Sequence, residues 1–261
     1  MSNPAHTYES FFVPAIFTPS SRVLIEAAAP RPGERVLDLA CGTGVVARTI
    51  APLVGAGGKV TGVDISPDML AVARTLVPEG LTIDFKQGNA VELDAPDRSV
   101  DLVTCQHGLQ FFPDRVAGTR HMRRVLADGG RAVVLCWQDV ATQSLYHPMF
   151  EAEARHLGVE ANKLTIPFSL GEPGELRRVL LAGGFASVDV RPYTITARFA
   201  SADQFVRLSM LAGSAVLPEL AGKVDSLVDA VQRDCADDIA RYRVGDRIEM
   251  EMSGLIAVAR A

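Results

Sequence analysis

The chain is poor in cysteine, and its cysteines show no pattern that indicates a disulfide framework or a zinc site. Four occur in 261 residues, and no two follow the C-x-x-C spacing. They are Cys41, Cys105, Cys136 and Cys235. Each is expected to be a small buried hydrophobic residue. The five histidines have no metal-ligand spacing either, so no metal is predicted.

The chain also lacks an excess of positive charge and any long apolar run. A formal net charge of −5 disfavours a nucleic-acid partner, which requires a clustered basic surface. No apolar run approaches the roughly 18 residues of a membrane span. Pro14 and Pro19 interrupt the apolar stretch near the beginning, unlike the continuous core of a signal peptide. A cytoplasmic protein without a nucleic-acid or membrane partner is the expectation.

Hydrophobic residues make up 48% of the chain, which is ample for a sizeable core. Short apolar segments alternate five times with amphipathic segments of helical period between residues 35 and 137. This alternation predicts βαβ units and a parallel α/β sheet. The predicted strands are Arg35–Leu39, Lys59–Val63, Leu81–Lys86, Val100–Thr104 and Arg131–Trp137, followed later by Val188–Tyr193, with an extension toward Phe199, and Ile248–Val258.

The most informative stretch is VLDLACGTGVVA, from Val36 to Ala47. It predicts a buried strand that ends in a carboxylate, then a glycine turn, then a helix. Gly42 and Gly44 allow backbone to approach a ligand, and the helix N-terminus favours an anionic group. The G-x-G-x-x-A spacing, with Asp64 about 20 residues later, also satisfies the dinucleotide-binding pattern, so two nucleotide-type cofactors remain open.

Asp38 separates these two cofactors. A carboxylate just before the glycines repels the pyrophosphate of NAD, whereas it suits the ammonium and sulfonium groups of S-adenosylmethionine. The sequence therefore favours S-adenosylmethionine. The alternative is that Asp38 only caps the helix that follows.

Three motifs carry a family resemblance: D-L-A-C-G-T-G, then V-T-G-V-D-I-S-P-D-M-L, then L-A-D-G-G-R. Residues 30–138 resemble the class I S-adenosylmethionine-dependent methyltransferases, especially the ubiquinone and menaquinone biosynthesis C-methyltransferases. The resemblance implies one Rossmann-like domain over residues 1–261, with a seven-stranded, mostly parallel sheet in the order 3-2-1-4-5-7-6 and an antiparallel last strand. Residues 1–30 would form a lid, and helical insertions at 139–172 and 201–244 would cap the substrate.

The resemblance also implies a cofactor site at the carboxyl ends of the strands. Asp38 would orient the methionyl ammonium group, Asp64 would accept hydrogen bonds from both ribose hydroxyls, and Asn89 would accept one from the adenine amino group. The full predicted set is Asp38, Ala40, Gly42, Gly44, Asp64, Ile65, Met69, Asn89, Ala90 and Gln106.

The predicted acceptor site follows the fourth strand, where Gln106 and His107 would face the transferable methyl group. Methyl transfer depends mainly on holding two atoms at reacting distance in a dry pocket. His107 is the candidate catalytic base, although a polar contact that orients the substrate is the preferred role. The predicted substrate residues, which could instead be ordinary core, are Tyr8, Phe12, His107, Trp137, Phe168 and Met210.

The sequence thus predicts transfer of a methyl group from S-adenosylmethionine to O, N or C of a small, apolar or aromatic metabolite, leaving S-adenosylhomocysteine. One alternative is a fold relative that binds S-adenosylmethionine but catalyses a rearrangement or cyclisation without methylation. A second is an NAD-dependent reductase, and a third is a silent partner-binding module. The expected partner is the small-molecule acceptor, and a homodimer stays open.

Overall fold

The computed structural model describes residues 4–213, 217, 220 and 222–261. Its centre is one mixed sheet. The strands are β1 (Arg35–Leu39), β2 (Lys59–Asp64), β3 (Ile83–Gln87), β4 (Val100–Gln106), β5 (Leu126–Trp137), β6 (Ser187–Phe199), β7 (Arg243–Val244) and β8 (Arg247–Arg260).

The strand order is β3-β2-β1-β4-β5-β8-β6, and β8 runs antiparallel to both of its long neighbours. This confirms the predicted Rossmann-like order. The difference is the two-residue strand β7, which pairs with the start of β8 and makes the last long strand the eighth. Gly245, with φ of 63°, closes the tight turn between them.

Ten α-helices and one π-helical segment occur in the described ranges. They are α1 (Pro4–Thr7), the π-helical segment (Tyr8–Phe17), α2 (Thr18–Ala28), α3 (Val45–Val54), α4 (Pro67–Thr75), α5 (Arg115–Val125), α6 (Tyr146–Leu157), α7 (Pro173–Ala182), α8 (Ala202–Gly213), α9 (Val224–Asp234) and α10 (Ala236–Arg241).

The beginning of the described chain is helical. A continuous helical run extends from Pro4 to Ala28, although Pro14 and Pro19 interrupt the apolar stretch in the sequence. Pro19 lies in the first turn of α2, where a missing N–H breaks no helical hydrogen bond. Pro14 lies inside the π-helical segment. Both prolines therefore lie within the helical run and do not end it.

Three local features define the helix ends. Helix α4 begins at Ser66-Pro67, where the Ser66 hydroxyl accepts a hydrogen bond from the Met69 N–H, and it buries Leu70, whereas Met69 is only half-buried. Helices α9 and α10 meet at Cys235. Helix α5 passes directly into β5, so Asp128-Gly129-Gly130 belongs to the strand.

Each face of the sheet is covered by a hydrophobic layer. One layer joins α2, α3 and α4 to the helices of the later insertions, and the other packs α5 and α7 against the central strands. Within the described ranges, no helix combines the length and the apolarity that a bilayer crossing requires.

Candidate functional site

A cavity of about 690 Å³ opens at the carboxyl ends of the parallel strands, beside the point where the strand order reverses between β1 and β4. Its volume is typical of small-molecule sites. The structure brings together at its wall most of the predicted residues. They are Tyr8, Phe12, Ala40, Gly42, Asp64, Ile65, Met69, Asn89, Ala90, Gln106, His107, Trp137 and Phe168.

Asp64 links two turns at the base of this cavity. One carboxylate oxygen accepts a hydrogen bond from the Gly42 N–H and the other accepts one from the Ser66 N–H, both at 2.8 Å. A carboxylate oxygen has more than one lone pair, so each can accept a further hydrogen bond. The side chain therefore fixes the glycine turn and can still receive a diol from the cavity.

Asp38 is buried beneath the glycine turn and does not contribute to the cavity wall. Its Oδ1 accepts from the Thr104 hydroxyl at 2.8 Å, and its Oδ2 accepts from the Ala47 N–H at 3.2 Å. Burial raises the pKa of Asp38 to about 7, although the two hydrogen bonds oppose that shift. These contacts are those expected of a helix cap, and they hold the carboxylate below the loop, away from the cavity wall.

Two further predicted residues lie away from the wall. Gly44 adopts φ of 84°, and a Cβ there would lie 2.7 Å from the Phe85 ring, so packing and backbone conformation explain this glycine. Met210 is fully buried, because its position on α8 faces the core. Its neighbours Ser209 and Leu211 line the cavity instead.

The predicted adenine end is open and apolar. Ile65 is 67% exposed, which is unusual for a large aliphatic side chain, and Met69 lies beside it in the wall. The Asn89 amide oxygen accepts a hydrogen bond from the Val91 N–H at 3.1 Å. This contact holds the Asn89–Ala90 turn at the rim and leaves one lone pair of the oxygen for a ligand.

His107 is held in one orientation by its surroundings. Its backbone adopts φ of 52°, its ring stacks on Trp137 with centroids 3.8 Å apart, and its Nε2 lies 3.0 Å from the Tyr193 hydroxyl. Burial lowers the pKa of His107 to about 3. The imidazole is therefore neutral near pH 7 and holds an abstracted proton poorly, which favours the orienting role over the base.

Tyr193 depends in turn on a glycine in the neighbouring strand. Gly254 of β8 pairs with Trp137 on one side and with Tyr193 on the other. A Cβ at position 254 would lie 2.4–2.5 Å from the Tyr193 ring, which real side chains do not tolerate. The missing side chain is therefore what allows Tyr193 to reach His107.

Several buried polar atoms at the wall have no hydrogen-bond partner among the described residues. They are Gln106 Oε1, His107 Nδ1 and both amide atoms of Gln110. Gln110, Ser209, Tyr146 and Tyr193 were not predicted as site residues. For Gln110 a signal was available, since G-L-Q-F-F-P at 108–113 places this one polar side chain within an apolar run.

The π-helical segment covers one side of the cavity. Tyr8 stacks on Phe17 with centroids 5.0 Å apart, and both line the wall. Glu9 of this segment forms an ion pair with Arg48 of α3 at 2.8 Å. The Gln106 amide donates a hydrogen bond to the Phe17 carbonyl oxygen at 3.1 Å. The segment is thus tied to both the glycine-turn helix and the end of β4.

A second, more open cavity of about 380 Å³ lies at the amino ends of the strands. Its charged side chains pair with one another: Arg131 bonds Glu34 at 2.8 Å, and Arg35 bonds Asp101 at 2.7 Å. These pairs tie the sheet together at the end opposite the site. The part of the chain that the structure describes contains no cluster of metal-ligating side chains.

A model of the ubiE/COQ5 methyltransferase family matches residues 19–157, which is more than half of the chain. The chain belongs to the ubiE/COQ5 methyltransferase family. This confirms the resemblance found in the sequence motifs. The matched range contains all the predicted cofactor residues.

The chain is similar to curated proteins over about half of its length. The ubiquinone/menaquinone biosynthesis C-methyltransferase UbiE of Stenotrophomonas maltophilia is 43% identical over 133 residues, 50% of this chain and 52% of that protein. The chain thus spans about half the length of the curated relatives it matches.

The YcgJ protein of Bacillus subtilis aligns over 92% of this chain and 97% of its own, with a TM-score of 0.62 and 18% identity. The phosphoethanolamine N-methyltransferase 2 of Haemonchus contortus, solved in complex with S-adenosyl-L-methionine, aligns over 98% of this chain and 56% of its own, with a TM-score of 0.60 and 18% identity.

Proposed function

We propose that the chain transfers a methyl group from S-adenosylmethionine to a small, apolar or aromatic acceptor, with S-adenosylhomocysteine as the second product. Family membership supports the reaction class. The arrangement that carries the proposal is Asp64 at the end of β2, bonded to the glycine turn and open to a cavity whose other end holds a neutral histidine.

In this proposal Asp64 accepts both ribose hydroxyls. The Ala40 and Gly42 backbone meets the methionine portion, and Ile65 with Met69 flanks the adenine. The charge of Asp38 acts only through the start of α3 and through Thr104, since this carboxylate is buried below the loop and does not contribute to the cavity wall. Family membership, and not that charge, therefore favours S-adenosylmethionine over NAD and over a reaction without methylation.

The acceptor is proposed to bind between His107, Trp137, Phe168 and the helices above them. Residues 1–30 would form a lid, and the insertions at 139–172 and 201–244 would form a cap over a single domain of residues 1–261. Tyr8 and Phe12 at the wall support the lid, and Tyr146 with Ser209 supports the cap. The enclosed, mostly apolar wall suits a small molecule better than a nucleic acid.

S-adenosylmethionine, when bound, supplies an electrophilic methyl group on a sulfonium centre. The residues of this chain contribute orientation and exclusion of water, which account for much of the acceleration of such displacements. His107 holds a polar group of the acceptor in line with that methyl group. Trp137 and Tyr193 keep the imidazole in place by stacking and by the 3.0 Å contact at Nε2.

Calorimetry with S-adenosylhomocysteine tests the cofactor site. The wild type is expected to bind it, and Asp64→Ala should weaken binding by about 100-fold or more, because two hydrogen bonds to a charged acceptor are lost. Asp84→Ala is the matched control, since Asp84 is a partly exposed carboxylate on the adjacent strand and does not line the cavity. No binding by the wild type, or equal binding by Asp64→Ala, contradicts the proposal.

A further inference from the structure

Two buried glutamines in this protein differ in one respect. Gln143 donates to the carbonyl oxygens of Gln138 and Ser253 and accepts from the Ser253 N–H, so both ends of its amide are used. Gln110 is only 3% exposed and contributes to the cavity wall, yet neither its amide nitrogen nor its amide oxygen has a partner among the described residues. The hydrogen bonds of Gln143 within the fold explain why a glutamine is buried there, whereas no such bonds explain the burial of the Gln110 amide.

Leaving Gln110 unpaired is unfavourable for the folded protein. A buried amide without hydrogen bonds destabilises the native state, and native structures rarely keep one without a partner such as water or a ligand. A methionine of similar volume would avoid this cost. Both amide atoms are buried at the wall to which Gln110 contributes. The broad final torsion of glutamine allows the amide to turn toward a group that enters from the cavity side and completes its hydrogen bonds.

The charge of the wall limits what that group can be. Among the described lining residues, Asp64 at the cofactor end is the single charged side chain. Burial keeps the His107 imidazole neutral and raises the pKa of Tyr146 to about 12, so both are uncharged near pH 7. An anionic or cationic acceptor would lose its hydration without an opposite charge to replace it.

We propose that Gln110 is the recognition residue for the methyl acceptor, and that the acceptor is an uncharged molecule with a hydrogen-bond donor and an acceptor side by side. A carboxamide has this pattern, and so does a hydroxyl beside a carbonyl. This inference rests on the proposed methyl transfer, since it assigns the acceptor half of that site. Phosphate, carboxylate and ammonium groups are excluded from contact with Gln110.

The single tryptophan of the chain, Trp137, reports on this site directly, because it lies in the same wall. Its fluorescence is measured during titration with four probes of one size: benzamide, benzoate, benzylammonium and ethylbenzene. Benzamide should bind the wild type about tenfold more tightly than ethylbenzene, as expected for two neutral hydrogen bonds. The two charged probes should bind no better than ethylbenzene.

Gln110→Met and Gln143→Met form the matched pair. The Gln110→Met protein should lose the tenfold preference while its thermal unfolding temperature stays equal or rises. The Gln143→Met protein should keep the preference while its unfolding temperature falls. The inference is overturned if benzoate or benzylammonium binds best, if Gln110→Met keeps the preference because a buried water alone satisfies the amide, or if it unfolds as early as Gln143→Met.

Calorimetry with S-adenosylhomocysteine on the same proteins separates this inference from the proposed function. Cofactor affinity should be unchanged in Gln110→Met. A wild type that binds no cofactor refutes the proposed function. A wild type that binds cofactor but shows no preference for benzamide refutes the assignment of Gln110 alone.

Discussion

The polar groups in the two halves of the cavity differ in how many of their hydrogen bonds the protein itself supplies. In the proposed cofactor half, the oxygens of Asp64 and Asn89 bond backbone N–H groups. In the proposed acceptor half, atoms of Gln106, His107 and Gln110 have no partner among the described residues. The first half is organised by the fold itself, whereas the second requires something else to complete it. Each unpaired group opposes folding by about 1–3 kcal/mol.

Two buried carboxylates also differ in whether they have hydrogen-bond partners. Asp38, below the cofactor half, bonds Thr104 and Ala47, and burial raises its pKa to about 7. Glu153 of α6 is fully buried with both oxygens unpartnered among the described residues, and burial raises its pKa to about 8. Substitutions at these two sites should therefore change stability in opposite directions.

The largest effect is expected for Glu153→Met. A carboxyl with a raised pKa in the folded state contributes stability that is present below its unfolded pKa and is lost as the pH rises to about 8. The substitution should therefore stabilise the protein by about 2–4 kcal/mol above that pH and by much less near its unfolded pKa. Urea unfolding at both pH values measures this difference.

Glu151→Met is the control for this substitution, because Glu151 is an exposed glutamate on the same helix. Its effect on stability should stay within about 0.5 kcal/mol, as is usual for exposed positions. A loss of stability in Glu153→Met at the higher pH would show that Glu153 has a partner that supports its charge, and the contrast with Asp38 would disappear.

Thr104→Val should act in the other direction. It removes the hydroxyl that lowers the pKa of Asp38, while shape is preserved. A hydrogen bond to a charged acceptor contributes about 1.5–3 kcal/mol, so the loss should approach that value above the Asp38 pKa and be smaller below it. Urea unfolding of Thr119→Val, which lacks a hydroxyl bonded only to neutral carbonyls, provides the comparison. If the stability loss depended on pH equally in Thr104→Val and Thr119→Val, the Thr104 hydroxyl would not stabilise the charged form of Asp38.

The smallest effect is expected for Tyr193→Phe. Loss of the hydroxyl at His107 Nε2 should cost about 1 kcal/mol, since the hydrogen bond is neutral. Nitrogen NMR of the His107 ring should show a changed tautomer balance, which a merely structural tyrosine would not produce. Tyr242→Phe, just after α10, should leave that spectrum unaltered. An unchanged His107 spectrum in Tyr193→Phe would show that this tyrosine does not orient the imidazole.

The cofactor half was accessible from the sequence because its residues are local. Asp64 and the glycine turn lie at strand ends that the apolar periodicity already marks. The strand order was predicted from the family resemblance. Strand β7 was not predicted, because two residues are too few to show a periodicity. Ser66-Pro67 gave the start of α4 directly, since a capping hydroxyl and a following proline act within one turn.

The acceptor half depends on distant pairings. Tyr193 reaches His107 across 86 positions, and Ser209 joins the wall from a separate insertion. No local sequence pattern predicts such contacts. Asp38 shows a further limit of prediction from sequence. The sequence indicates that Asp38 lies near the end of β1, but its side chain bonds Thr104 on the neighbouring strand, and no local pattern predicts that contact.

Gly254 affects the shape of the cavity although it does not line it. It has no side chain to offer, yet the space above its Cα is what admits the Tyr193 ring. Any larger residue there would displace the tyrosine, then the imidazole, and so reshape the proposed acceptor pocket from the adjacent strand. Random mutagenesis screened for altered acceptor choice should therefore recover changes on β8 that touch no small molecule.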